Sequence, residues 1–236
     1  MENDGLILKN IFFRRQNKPI LTNITVKIPW GRIVALLGEN GVGKTTLLRI
    51  ICDLNKGYHG VVNLNGVVDE KRKQFVSYSD NLEGFAKKSL LTKIIDFYEL
   101  GYPDFDRQRA EKLLTFMQLD PEQRLGDLSK GSREKFVITL TLARKAKLYL
   151  LDEPLSGVDI FSRDKIISSL IKWIGPDAIL IIATHHLNEL EQIIDDAMIL
   201  KDRRLLAYRD VEEIRVQEGL SVEEYYRQIY LEDRRQ

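Results

Sequence analysis

Residues 38–45, G-E-N-G-V-G-K-T, carry the chain's most specific chemistry. They meet the pattern G-x-x-x-x-G-K-[ST] through Gly38, Gly43, Lys44 and Thr45. A loop that wraps backbone N–H groups around phosphate oxygens is obstructed by side chains, and Gly38, Gly41 and Gly43 permit the dihedrals it needs. Glu39, Asn40 and Val42 fill the other loop positions, and Thr46 follows. Lys44 supplies charge between the β- and γ-phosphates, and the Thr45 hydroxyl is suited to Mg²⁺. An apolar strand pattern at 33–37 precedes the loop and a helical pattern at 45–54 follows it. The helix would point its positive N-terminal dipole at the anion. A glycine-rich turn that merely contains lysine needs neither flank. The expected ligand is a nucleoside triphosphate, ATP with Mg²⁺.

A second constellation is Leu148-Tyr149-Leu150-Leu151-Asp152-Glu153, an apolar strand ending in two carboxylates. Alone it reads as the solvated start of a loop. Beside a phosphate loop, Asp152 is the expected Mg²⁺ ligand, directly or through water, and Glu153 the group that polarises an attacking water.

These residues need a frame. Short apolar stretches at 6–8, 11–13, 24–28 and 33–37, punctuated by Asn23 and Pro29-Trp30-Gly31, predict a β-rich start. Gly57, Gly60 and Gly66 bracket a predicted strand pair, 61–64 and 75–78. Residues 82–147 read as mostly helical. Ala110, Leu113, Leu114 and Met117 share one face of a helix starting near Asp106, and a further helix is predicted at 134–147. Strand patterns return at 148–151, 179–183 and 197–200 with helices between them, which implies a mostly parallel sheet. Ser221 and Glu224 form a capping box for a short C-terminal helix with Tyr225, Tyr226 and Ile229.

The bulk numbers narrow the partners. The 236 residues, 44% hydrophobic and 30% charged, suit one α/β domain with room for an insert. A net charge of +1 predicts no nucleic-acid partner. Cys52 is the one cysteine, so no internal disulfide forms. Its apolar neighbours Leu47, Leu48, Ile50 and Ile51 mark it as a buried small hydrophobe. The acidic, polar start Met1-Glu2-Asn3-Asp4 is unlike a signal peptide, and no apolar run approaches the roughly 20 residues that span a bilayer.

Leu128-Ser129-Lys130-Gly131-Ser132, ending 20 residues before Asp152 and opening a helix, resembles the signature motif L-S-G-G-Q of ABC ATPases. Ser156-Gly157-Val158-Asp159 resembles the D-loop of that family, and Thr184-His185 the switch histidine. The resemblance covers roughly residues 5–205. It implies a P-loop NTPase fold with a mostly parallel core, an N-terminal antiparallel β subdomain and an inserted α-helical subdomain. The core would take about 1–81 and 148–209, the helical insert about 82–147, and a short extension 210–236. The resemblance further implies head-to-tail pairing of two such domains. Ser129 and Gly131, with Lys130 and Ser132 beside them, would meet the γ-phosphate of the partner's ATP. Glu153 would be the catalytic base, His185 would hydrogen-bond the γ-phosphate, and Asp159 would organise the interface. His186 reads as surface at a helix start.

The sequence departs from the family pattern in three places. Lys130 stands where glycine is usual and Ser132 where glutamine is usual. The Q-loop glutamine is missing from Val76-Ser77-Tyr78-Ser79-Asp80-Asn81, leaving Asn81, or alternatively Asp80, to reach Mg²⁺. Arg15 occupies the position of the adenine-stacking aromatic, and Phe13 is the alternative. The expectation is the ATPase subunit of an ABC transporter, with an exporter as the subtype suggested by L-S-K-G and by Tyr102-Pro103-Asp104-Phe105-Asp106. It would work with a second ATPase subunit and a separate transmembrane permease, peripherally on the cytoplasmic side of the cell membrane. The segment 81–98 would touch the permease. The rival expectations are a soluble, non-transport ABC ATPase and a regulatory subunit that does not hydrolyse.

Overall fold

The computed structural model describes residues 5–79 and 81–232. Two antiparallel neighbours open the chain, β1 (Leu6–Arg15) and β2 (Lys18–Ile28), and β3 (Ile33–Leu37) leads to helix α1 (Lys44–Ile51). Then come β4 (His59–Leu64), β5 (Val76–Tyr78), and three helices, α2 (Leu91–Gly101), α3 (Arg107–Met117) and α4 (Lys130–Ala143). The chain returns through β6 (Leu148–Asp152), α5 (Ile160–Trp173), β7 (Ile179–Ala183), a single turn α6 (Leu187–Leu190) and β8 (Asp196–Lys201). It ends with β9 (Arg204–Asp210), α7 (Val211–Glu218) and α8 (Val222–Glu232).

The strands form two sheets. One is antiparallel, in the order β2-β1-β4; the other runs β5-β6-β7-β3-β8-β9 and is parallel except for β9. Central strands β3 and β7 are apolar throughout, and β6 and β8 are apolar apart from their polar end residues, because both faces are covered. The two-residue period of a strand divides them between two cores. Ala35, Leu37, Tyr149, Leu151, Leu180 and Ile182 face the core packed with residues of α2–α5. Val34, Leu36, Leu148, Leu150, Ile179 and Ile181 face the core shared with α1 and the antiparallel sheet. The sheet therefore presents the ends of β3, β6 and β7 to one edge, where the chemistry gathers.

Several boundaries differ from the predicted ones. The stretches 6–8 and 11–13 are one strand, β1, whose register shifts around Asn10 at a φ of 52°. The predicted pair 61–64 and 75–78 is not a pair: β4 joins β1, and β5 lies beside β6. Helix α1 stops at Ile51 rather than 54, because Asp53 turns to a φ of 61°. The buried Arg72 then donates to the carbonyls of Ile50 and Ile51 at the helix end, at 3.0 Å each, and to Asp53 Oδ1. Helix α4 starts and ends four residues earlier than 134–147, since Ser129 caps it and Arg144 leaves helical geometry. The region after 200 holds β9 and two helices rather than one. Asp210 caps α7, and the Ser221–Glu224 capping box of α8 forms in both directions. Cys52 is buried as expected, and burial pushes its thiol up to about 11. No helix among the described residues is long and apolar enough to cross a membrane.

Candidate functional site

The phosphate loop connects the buried end of β3 to α1. Gly38 and Gly43 hold it against the scaffold. A Cβ on Gly38 would lie 2.6 Å from Leu200 O, and one on Gly43 would lie 2.7 Å from Leu21 Cδ2, with φ values of 150° and 117°. Only glycine tolerates that combination of dihedral and contact. The left-handed Gly43 precedes α1 without any side-chain cap, so the first-turn N–H groups face the loop's concavity. The buried Lys44 curls back, its Nζ donating to Gly38 O at 2.7 Å and Glu39 O at 3.4 Å.

Asp152 closes β6, and Glu153 follows with a φ of 54°. A left-handed residue with a side chain costs roughly 1 kcal/mol or more. Two backbone hydrogen bonds hold it there, Glu153 N to Ala183 O at 2.8 Å and Ser156 N to Glu153 O at 3.1 Å. The kink directs the Glu153 carboxylate between Lys44, whose Nζ is 3.8 Å from Oε1, and His185, whose Nδ1 is 2.7 Å from Oε2. The imidazole approach is close but not aligned as a hydrogen bond, so buried Oε2 has no hydrogen-bond partner in the protein. Asp152 shows the same asymmetry. Oδ2 accepts from Tyr78 at 3.4 Å, while buried Oδ1 has none. Burial, together with the Asp152 charge, pushes the Tyr78 hydroxyl up to about 12 and keeps it a donor.

Asn40, Gly41, Gly43, Lys44, Thr45, Thr46, Asp152 and Glu153 line one cavity of about 200 Å³. Thr45 and Thr46 also border a neighbouring cavity of about 440 Å³, whose walls include Phe13, Arg15, Ile20 and Arg49. Both candidates for stacking adenine thus lie along the same wall, continuous with the phosphate loop. His185 is half exposed and lines a third cavity, about 360 Å³, between Gly38, the 184–189 loop and α8. His186 stands at the start of α6, as expected, and is partly exposed, with its ring 4.1 Å from that of His185.

Other candidates fall elsewhere. Asn81 spends its amide oxygen on Glu83 N–H at 3.2 Å and borders a cavity with Phe85, Lys87 and Arg133, away from Thr45 and Asp152. Its alternative, Asp80, lies outside the described residues. The groups that do reach Asp152 from β5 and its end are Tyr78 and Ser79, whose Oγ accepts from Asp152 N at 3.1 Å. The sequence marked neither, although both fall in the segment searched for a glutamine. Ser129 caps α4, its Oγ accepting from Ser132 N at 3.1 Å. A Cβ on Gly131 would stand 3.0 Å from Asp159 Oδ2, and the Lys130 amine rests against Gly157. Asp159 caps α5 through Ser162, whose hydroxyl and N–H hold that carboxyl below its usual range. Residues 129–132 and Asp159 therefore form one surface unit, and none of them lines this chain's own phosphate cavity.

The ABC transporter family model matches residues 21–156, more than half of the chain. "ABC transporter ATP-binding protein YtrB" of Bacillus subtilis (strain 168) is 28% identical over 83% of this chain and 68% of its own length. "Aliphatic sulfonates import ATP-binding protein SsuB" of Zymomonas mobilis subsp. mobilis is 32% identical over 81% of this chain and 80% of its own. A solved ATP binding subunit of an ABC transporter superposes with a TM-score of 0.84, over 96% of this chain and 99% of that one, at 23% identity, which speaks to the fold. With its phosphate loop, acidic pair and fold in place, this protein belongs to the ABC transporter family as an ATP-binding subunit and ATPase.

Proposed function

We propose that the protein binds ATP with Mg²⁺ along the Phe13/Arg15 wall and the phosphate loop, and hydrolyses it with Glu153 as the base. The observation that carries this reading is the pair of buried carboxylate oxygens without hydrogen-bond partners, Asp152 Oδ1 and Glu153 Oε2, at the mouth of the phosphate loop. Burying such oxygens unpaired is costly, and a bound cation and a water supply what is missing. No group of three or more His, Cys, Asp or Glu side chains among the described residues is arranged to hold a metal. Mg²⁺ would therefore be held by Thr45 and Asp152 together with phosphate oxygens and water, the arrangement this ion prefers. When bound, it would neutralise charge developing on the phosphates. Asn81 keeps a place in this proposal only if its turn opens to free the amide oxygen.

Lys44 would exchange the carbonyls of Gly38 and Glu39 for phosphate oxygens. Glu153 would take the proton from the attacking water, and His185, already beside it, would hydrogen-bond the γ-phosphate. Ser129, Lys130, Gly131 and Ser132, with Asp159 behind them, would complete the site of a second ATPase subunit; their separation from the phosphate cavity of their own chain supports that division of labour. The segment division we propose is a core of about 1–81 and 148–209, a helical unit of about 82–147 and an extension from 210.

The chain would energise a separate transmembrane permease from the cytoplasmic side of the membrane. Supporting this is an aromatic patch in the expected segment: Phe85 and Phe97 meet edge to face at 5.2 Å, Tyr98 and Tyr102 continue it, and Phe97 is 57% exposed. Export is the direction suggested by L-S-K-G. Import is a second reading, favoured by the name of the aliphatic sulfonates import relative. Substrate flux with the co-purified permease in proteoliposomes distinguishes them.

The test of the site is Glu153→Gln. Turnover should fall by about 100-fold or more, the effect of losing some 3 kcal/mol of barrier lowering, while ATP binding persists and an ATP-bound dimer elutes on size exclusion. An unchanged hydrolysis rate would sink Glu153 as the base.

A further inference from the structure

We infer that Tyr230, at the far end of the chain, is a positioning residue for the phosphate loop, so that docking of helix α8 sets the loop's affinity for nucleotide. Its hydroxyl donates to Leu200 O at 2.9 Å and accepts from Glu39 N–H at 3.2 Å. Leu200 lies in β8, and its carbonyl is also the atom that a side chain on Gly38 would strike. One hydroxyl thus ties the first turn of the loop to the neighbouring strand at the point where loop and strand are closest. The Glu39 N–H is a loop donor already taken by Tyr230, and Glu39 is not among the residues that line the phosphate cavity, which start at Asn40. Tyr230 fixes it without competing for phosphate.

The rest of α8 is built to hold that hydroxyl still. The Tyr230 ring is buried, packs 4.7 Å from the Tyr226 ring, and lies under the Lys201 ammonium at 5.0 Å. Lys201 Nζ, buried, also donates to Tyr230 O at 2.7 Å. At the other end, Val222 N donates to Glu191 Oε1, binding the start of α8 to the segment that follows the 184–190 turn. Tyr226 and Arg227 wall the cavity that holds His185, Thr184 and Gly38. The helix therefore spans from the histidine loop to the phosphate loop. It bears on the two segments that the proposed function places against the phosphates, the loop and His185, and the inference rests on that reading.

Tyr230→Phe in the full chain removes one oxygen and keeps the ring contacts. The probe is ATP with Mg²⁺, measured by calorimetric binding and by steady-state hydrolysis, with Tm recorded alongside. Losing the hydroxyl should raise the Kd and KM for ATP about fivefold, the value of one ordinary hydrogen bond, with a smaller change in kcat. A merely structural tyrosine would lower Tm and leave Kd and KM unchanged in the folded protein, and that outcome overturns the inference. Lys201→Met, which removes the ammonium contact with Tyr230 O and keeps the Tyr230 hydroxyl, should raise the Kd in the same direction; an unchanged Kd counts against docking of α8 as the cause. The unaltered protein separates the two levels of argument. If it fails to bind ATP, the site reading itself falls, whereas binding that Tyr230→Phe leaves unaffected overturns the role of Tyr230 alone.

Discussion

The phosphate-loop edge and the signature turn are both built at helix N-termini, yet they are finished differently. At α1 the N-terminus has no side-chain cap, Lys44 is folded onto its own loop, and two buried carboxylate oxygens accept no hydrogen bond from the described residues, although His185 Nδ1 stands 2.7 Å from one of them. At α4 and α5 the caps are complete: Ser129 serves Ser132 and Asp159 serves Ser162. The first region holds unsatisfied groups around a cavity and is shaped to receive a ligand. The second is satisfied within the chain and presents a turn outward. At α1 the missing cap leaves first-turn N–H groups available at the loop, whereas at α4 and α5 a side chain of the same chain already takes one of them. This difference supports the proposed division, in which the first region would receive the nucleotide and the second would complete the site of another subunit.

The comparison breaks first at Lys44. Lys44→Ala removes the ammonium that, in the proposed site, would bind the phosphates, and a charge-assisted contact in a part-buried site is worth several kcal/mol. The Kd for ATP should rise by about 100-fold, with hydrolysis falling in step, measured by equilibrium binding and phosphate release. Ser129→Ala probes the other region. It deletes the cap, costing about 1 kcal/mol of stability, and a hydrogen-bond donor of the signature turn. The Kd of the isolated subunit for ATP should stay unchanged while the hydrolysis rate at high protein concentration falls by about tenfold. If both variants weaken ATP binding in the isolated subunit equally, the division between receiving and completing regions is wrong.

What the sequence made legible follows the same division. The phosphate loop and the acidic pair were readable because their chemistry is local: residues adjacent in the chain are adjacent in space. The parallel sheet was readable because strands covered on both faces carry continuous apolar runs, as at 33–37, 148–151, 179–183 and 197–200. The pairing of β4 with β1 was not, since partners in a sheet are chosen by packing between segments far apart in the chain. Nor did the sequence reveal Tyr78 and Ser79 at Asp152, because it offered no amide where one was sought, and a hydroxyl beside a carboxylate has no spacing signature. Asn81 looked suitable by type, but its side chain is taken up by its own turn, a competition that short polar residues always bring. Tyr230 was invisible for another reason: its partners are two backbone groups, at residues 39 and 200, and backbone groups leave no trace in a residue pattern.

The signature helix carries the smallest and most discriminating test. Glu134 lies in the first turns of α4, and burial pushes its carboxyl up to about 7, against weaker pulls from Lys130 and Arg133. The contrast with Glu153 is that Glu153 has the Lys44 ammonium 3.8 Å away, whereas at Glu134 the desolvation of the charge outweighs the pull of Lys130 and Arg133. Because its folded value is raised above the unfolded one, the folded chain binds the extra proton between about 4.5 and 7. Stability therefore falls as pH rises through that window, and the penalty is complete above it. Glu134→Gln cannot ionise. Its Tm should match that of the unaltered protein near the low end of the window and exceed it by about 2 °C or more at pH 8, read by thermal melts across pH. A gap of equal size at both ends would show that packing, not ionisation, separates the two side chains. A gap that grows with pH, with the ATP Kd of the isolated subunit unmoved, would show that the signature helix holds its strain apart from the site that receives the nucleotide.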